Sequence, residues 1–320
     1  MIKLSKLPEL EFPRVYQQPA DFNETRTSEG LFSWLSKNQA EIMRECQKAG
    51  AILFRGFPVS SSQIFQEFSS IFIPNLASYV GGDSPRTKVS GAVYTSTEVP
   101  ANLTISMHNE MSYSNSYPST VLFHCDIAPQ KRGETPLADC RRLYRSLPKE
   151  LVERFEKKKV TYIQNLHDGL GLGKSWQQTF ETKNKADVEA ILDRRRAKYE
   201  WKEEGGLRIS ETVDQVIIHP ATGEKCFFTQ AHQWHYSELD KETQESLLGM
   251  MEESDFYHTC TFGDGTPMDL NDLEMIRAAF KKESVEFSWQ KGDVCLVDNI
   301  LVAHGRNSFE GPRRILVAFG

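Results

Sequence analysis

The chain lacks any uninterrupted apolar run of about 18 residues, which argues against a transmembrane helix. Its mean hydropathy is −0.48. The opening Met-Ile-Lys-Leu-Ser-Lys-Leu-Pro has no continuous apolar stretch and does not read as a secretory signal. Its cysteines, Cys46, Cys125, Cys140, Cys226, Cys260 and Cys295, contain no Cys-x-x-Cys pair. A short disulfide scaffold is excluded by length, so they read as free thiols of a reducing cytoplasm, mostly buried apolar filler. Basic residues are outnumbered, 38 against 44 acidic, which argues against a general nucleic-acid binder. Histidine is scarce as well, and eight of them exclude a histidine-rich metal store. No internal repeat, low-complexity tract or Pro/Gly/Ser linker divides the chain.

What is present suits a sizeable core. Hydrophobic residues make up 39% of 320 positions. That length gives a soft expectation of about two domains, but a β-rich barrel with helical insertions also fills it as one unit. Helical spacing runs over residues 31–49, through Leu31, Trp34, Leu35, Ile42, Met43 and Cys46, and Gly50 stands where a helix-ending glycine belongs. A strand over 51–57 and a helix over 62–72 follow. β-rich composition marks 89–97 and 119–127. Helical spacing resumes at 147–158 and again at 271–282, where Leu273, Ile276, Ala279 and Phe280 face inward. Strands are expected at 216–219, 225–229, 285–289, 293–297 and 313–319. The charge-rich stretch 183–202, with Arg194-Arg195-Arg196, reads as a solvated helix face. Trp176 and Phe180 read as core or lid packing. Strands at both ends and in the middle imply one β core decorated by helices, a single domain over 1–320 with the elements of 1–75 packed on it.

Two histidines have informative neighbours. In Met107-His108-Asn109-Glu110, residues two apart on an extended chain share a face, so His108 and Glu110 can bind one metal ion. His304 ends the apolar run Asn299-Ile-Leu-Val-Ala-His304 and is followed by glycine. Two histidines and one carboxylate on one face of an octahedral metal leave three positions open, the pattern of non-haem Fe(II) oxygenases. A His-x-Glu alone is weak, but Gly133-Glu-Thr135 and Arg313-Arg314 add context. An oxygenase using 2-oxoglutarate needs a cation for the distal carboxylate, and arginine binds carboxylate bidentately. A threonine hydroxyl adds a hydrogen bond. His232 and His235 form a His-x-x-His, read as packing or a pocket wall rather than a second metal site. Arg86, Glu98, Asn102 and Asn109 flank the metal motif and are candidates for substrate contact.

At these residues the chain resembles the taurine dioxygenase-like (TauD/TfdA) superfamily of Fe(II)/2-oxoglutarate-dependent dioxygenases, nearest to its clavaminate synthase-like and syringomycin-type amino-acid hydroxylase branch. The resemblance rests on Ala49–Phe57, Tyr79-Val-Gly-Gly-Asp-Ser-Pro-Arg86, Tyr94–Glu98, His108-Asn-Glu-Met-Ser112, Gly133-Glu-Thr-Pro136, Phe262-Gly-Asp-Gly265 and Gly292–Arg314. It implies a double-stranded β-helix, a jelly-roll core with helices outside. It implies His108, Glu110 and His304 as the iron ligands and Thr135 as a 2-oxoglutarate contact. One of Arg313 and Arg314 is implied as the distal-carboxylate arginine. Alternation lets only one face the cavity. In relatives that arginine directly precedes an apolar strand, which favours Arg314. Many relatives have Asp where this chain has Glu110, although clavaminate synthase-like members also use Glu. Related halogenases have a small residue there, so Glu110 implies hydroxylation. The further arginine of taurine dioxygenases is replaced by Ala318, or by Val317 if Arg313 binds, which argues against a sulfonate held that way.

The expected activity is hydroxylation of an unactivated C–H of an amino acid or small amine-bearing metabolite, free or carrier-tethered. Fe(II), 2-oxoglutarate and O2 are consumed to yield succinate and CO2. A desaturase or cyclising oxidase can use the same iron site. A non-catalytic jelly-roll binder would have lost a triad member or the arginine. A zinc hydrolase leaves Thr135 and the arginine pair unexplained.

Overall fold

The computed structural model describes residues 12–18 and 23–320; the opening octapeptide read against a secretory signal lies outside them. Thr27 starts the first long helix by accepting the Gly30 N–H, one of the donors that a helix start leaves bare. That helix, Ser28–Ala49, buries Leu31, Leu35, Ile42 and Cys46, the stripe expected from their spacing. It ends at Gly50 with φ 88°, where a Cβ would stand 2.5 Å from a Val302 methyl. Both the left-handed backbone and the close contact favour glycine. The chain then enters the strand Ala51–Arg55, all five residues of which are buried.

That strand belongs to a seven-stranded sheet. Its order is 14–17, 51–55, 294–298, 120–127, 314–319, 93–95 and 88–90. Alternation divides its side chains between two clusters. Ile52, Phe54, Leu122, Leu296, Leu316 and Ala318 pack outward beneath the helices Ser28–Ala49 and Ser62–Phe72. Leu53, Val121, Phe123, Cys295, Ile315, Val317 and Phe319 pack inward. The inner cluster also takes Leu137, Ala138, Met107 and Val302 from a four-stranded sheet ordered 284–285, 137–139, 302–306 and 105–108. Two sheets therefore share one interior.

A third sheet, ordered 198–201, 207–213, 160–166 and 258–262, adjoins a smaller cluster. Trp176 and Phe180 are buried there against Leu166, Val188 and Leu192, so they act as core. The charge-rich stretch is only partly a solvated face. Lys185–Arg195 is helical and buries Val188 and Leu192. Arg195 does not stay in solvent: it donates to the carbonyls of Val80 and Gly81 at 2.9 and 3.2 Å. The strand expected at 285–289 shrinks to Ser284–Val285, while Phe287 and Trp289 are buried without ladder bonds of their own. All six cysteines are free and buried. Among the described residues, no helix is long and apolar enough to cross a membrane.

Candidate active site

The strands Ile105–His108 and Val302–Arg306 run antiparallel, with His108 opposite His304. A Cβ on Gly305 would lie 2.6 Å from the Ile105 carbonyl oxygen, so the glycine after His304 lets the two backbones approach. The imidazole centroids are 4.8 Å apart. Glu110 follows in the turn after its strand. Ligand atoms of His108, Glu110 and His304 all lie within 4.8 Å of one another.

The donor set is prepared for a cation. His108 donates from Nδ1 to the Ser106 carbonyl at 2.9 Å, which leaves Nε2 with its lone pair available. Burial, and then the neighbouring His304, push the His108 pKa down to about 4. The ring is therefore neutral near pH 7, the state in which imidazole ligates. Burial would raise the Glu110 pKa, but Arg86 and the two histidines outweigh it and hold this carboxyl below the usual range. Arg86 Nη2 stands 2.7 Å from Glu110 Oε2, and both side chains are buried. The Arg86 guanidinium lies 4.1 Å from the Tyr79 ring centre. Such a set of two imidazoles and one carboxylate suits Fe(II).

Asn299, which carried no signal beyond being a polar residue in an apolar run, fixes the turn. Its Oδ1 accepts the Glu110 N–H at 2.7 Å. Its Nδ2 donates to the carbonyls of Glu110 and Pro118 at 3.0 and 2.7 Å. Asn299→Ala removes three buried hydrogen bonds and strands their partners. The expected loss is roughly 4–6 kcal/mol, at about 1 kcal/mol for each bond plus a desolvation penalty of about 1–3 kcal/mol. Thermal unfolding checks this, and an unchanged Tm would contradict it.

The arginine pair corrects the reading of the sequence. Arg314 is exposed and pairs with Asp126. Arg313 turns inward instead, donating to the Gly133 carbonyl at 2.9 Å and approaching Thr135 Oγ1 at 3.4 Å. Strand parity explains the choice: Ile315, Val317 and Phe319 share the inner cluster, so 313 continues the inward register. Burial, then Arg306, lowers the Arg313 pKa to about 10, which leaves it cationic at neutral pH. It joins none of the ion pairs found among the described residues. Thr135 is buried and also accepts the Trp289 indole N–H at 3.0 Å. Arg313, Thr135, Phe123, His108 and His304 line a narrow space of about 40 Å³.

Three of the four candidate substrate contacts do not reach the site. Glu98 and Asn102 are exposed and line none of the cavities around the three donors. Asn109 is buried but points away, donating to the Asn299 carbonyl at 2.6 Å and contacting Cys140. Only Arg86 stands at the site, on Glu110. His232 donates to the Met107 carbonyl at 3.0 Å, and His235 accepts the Ser237 N–H at 3.2 Å. His232 is taken up by packing, and His235 stands in a pocket wall. Spacing had not pointed to the wall of a second chamber, about 150 Å³, formed by Asp83, Tyr113, Gln233, Trp234 and His258 beside His108 and Glu110. A larger cavity, about 740 Å³, contains none of the three donors; Gln233, Trp234 and His258 line both it and this chamber.

Comparison with known proteins makes this chain an Fe(II)- and 2-oxoglutarate-dependent dioxygenase that consumes O2. Residues 20–319 match the taurine catabolism dioxygenase TauD, TfdA family, and the chain belongs to it. It is 35% identical over 278 residues to the dapdiamide synthesis protein DdaC of Enterobacter agglomerans, covering 87% of this chain and 83% of that protein. It is 31% identical over 317 residues to a clavaminate synthase-like protein of Arabidopsis thaliana, covering 96% and 93%. The solved structure of asparagine oxygenase with Fe(II), 3-hydroxyasparagine and succinate superposes with a TM-score of 0.57 at 13% identity, covering 90% of this chain and 79% of that one. That likeness is one of fold.

Proposed function

We propose that this dioxygenase hydroxylates an unactivated C–H of an amino acid or small amine-bearing metabolite, releasing succinate and CO2. The carrying observation is the convergence of His108, Glu110 and His304 within 4.8 Å, beside Arg313, a half-buried arginine that joins no ion pair among the described residues. In this reading the jelly-roll core presents the three donors to Fe(II), and Arg313 with Thr135 holds the distal carboxylate of 2-oxoglutarate. Bound iron would supply the oxidising power. The chain's own residues hold the co-substrate by charge, keep water out with Phe123 and leave the chamber for the substrate. DdaC, a dapdiamide synthesis protein, and an asparagine oxygenase of like fold favour an amino-acid-like substrate. The larger cavity gives room for the remainder of a bigger molecule, so the substrate is read as free or carried on a carrier protein.

Succinate release, screened over free amino acids and aminoacylated carrier proteins with Fe(II), 2-oxoglutarate and ascorbate, tests this. One member of the panel should raise succinate above the substrate-free rate and gain one oxygen atom. A panel with no such member would overturn the substrate class. Thr135→Val should weaken 2-oxoglutarate binding about tenfold or more, for the loss of one hydrogen bond to a charged group. An unchanged apparent affinity for 2-oxoglutarate would remove Thr135 from that site.

A further inference from the structure

The chamber beside the three donors contains a carboxylate that neither the iron ligands nor the co-substrate contacts use. Asp83 is approached by His258 Nε2 at 2.8 Å, Gln164 Nε2 at 3.2 Å and the Tyr257 hydroxyl at 3.2 Å, and all three meet the same oxygen, Oδ1. Oδ2 enters none of the hydrogen bonds or ion pairs among the described residues, and the side chain is 24% exposed toward the cavity. A carboxylate offers about four lone-pair positions over its two oxygens, so much of its accepting capacity stays open.

Burial favours the neutral form of Asp83, but His258 and Lys174 outweigh burial and hold its pKa below the ordinary value. Lys174 itself donates to the Gly82 carbonyl at 2.9 Å, and Arg86 is committed to Glu110. The neighbouring walls are aromatic: the Tyr113 and Trp234 rings lie 4.6 Å apart. His258 in turn stacks on Trp234 at 4.2 Å, so an aromatic lining stands next to the carboxylate, and a carboxylate so placed suits an alkylammonium group.

We propose that Asp83 Oδ2 receives a protonated primary amine of the substrate in this chamber. The amine-bearing end then lies beside His108 and Glu110, and the rest of the molecule extends toward Gln233, Trp234 and His258, which also line the larger cavity. This inference rests on reading the three donors as the reaction centre. The oxidised carbon then lies only a few bonds from the amine, because a chamber of about 150 Å³ holds a short aminoalkyl segment.

Two probes of equal length, n-butylammonium and n-butanol, separate charge from shape. They are titrated by calorimetry into the protein loaded with Mn(II) and 2-oxoglutarate. The wild type should bind the ammonium about tenfold or more tightly than the alcohol, the usual effect of a hydrogen bond to an ionised group. Asp83→Asn keeps Oδ1 for Gln164 and Tyr257 but should lose that preference. Equal binding of both probes by the wild type, no ammonium binding, or a preference surviving in Asp83→Asn would each overturn the role of Asp83. If Asp83→Asn fails to fold, the wild-type comparison decides alone. A parallel 2-oxoglutarate titration keeps the two readings apart. Failure of the wild type to bind it overturns the co-substrate site, whereas normal binding without ammonium preference overturns only the amine site.

Discussion

Glu110→Ala is expected to abolish succinate release and to lower iron affinity by at least about 100-fold, since even loss of a group supporting a metal ligand commonly costs about 10–100-fold. A second effect accompanies the first. Arg86 is buried and its Nη2 stands 2.7 Å from the Glu110 carboxylate. Removing one partner of a buried pair leaves the other charge uncompensated, at a cost of about 3–5 kcal/mol. The Arg86→Met, Glu110→Ala double variant should therefore recover much of the lost stability but none of the iron binding. Thermal unfolding and iron content, measured on the same preparations, read the two effects separately. A folded Glu110→Ala protein that binds iron and turns over normally would remove Glu110 from the ligand set. His108→Ala and His304→Ala should lose iron likewise, without the stability loss that follows from stranding Arg86.

Arg313→Ala should weaken apparent 2-oxoglutarate affinity at least about 25-fold. The truncation leaves a desolvated distal carboxylate without its cation, a loss of roughly 2–5 kcal/mol, and each ~1.4 kcal/mol is a factor of ten. Arg314→Ala should change affinity little, because that side chain is exposed and paired with Asp126. The two adjacent residues thus form an internal control, read by the dependence of succinate release on 2-oxoglutarate concentration. Equal effects at both positions would contradict the inward register of the strand.

The arginine assignment also shows where sequence reasoning ran out. The strand Arg314–Phe319 is apolar on both faces, because helices cover its outer side and the shared interior its inner side. Alternation of apolar and polar residues therefore carried no parity, and a register shift between Arg314 and Ile315 obscured it further. The helix stripe over Leu31–Cys46 was legible because its opposite face is polar. His108 and Glu110 were legible through their spacing, and the same period of two turns Asn109 to the other side. Arg86 reaches Glu110 across 24 positions of sequence, and Asp83 meets His258 across a far longer gap. Only the tertiary fold creates those neighbours, so no local pattern announced them.

The central claim is that His108, Glu110 and His304 hold Fe(II) where 2-oxoglutarate can chelate it. Anaerobic addition of 2-oxoglutarate to the Fe(II)-loaded wild-type protein tests it most directly, followed by the visible metal-to-ligand charge-transfer absorption. A band that requires both iron and 2-oxoglutarate, and that is absent in His304→Ala, is the predicted result. No band in the folded, iron-loaded wild type, or a full band in His304→Ala, would contradict the account.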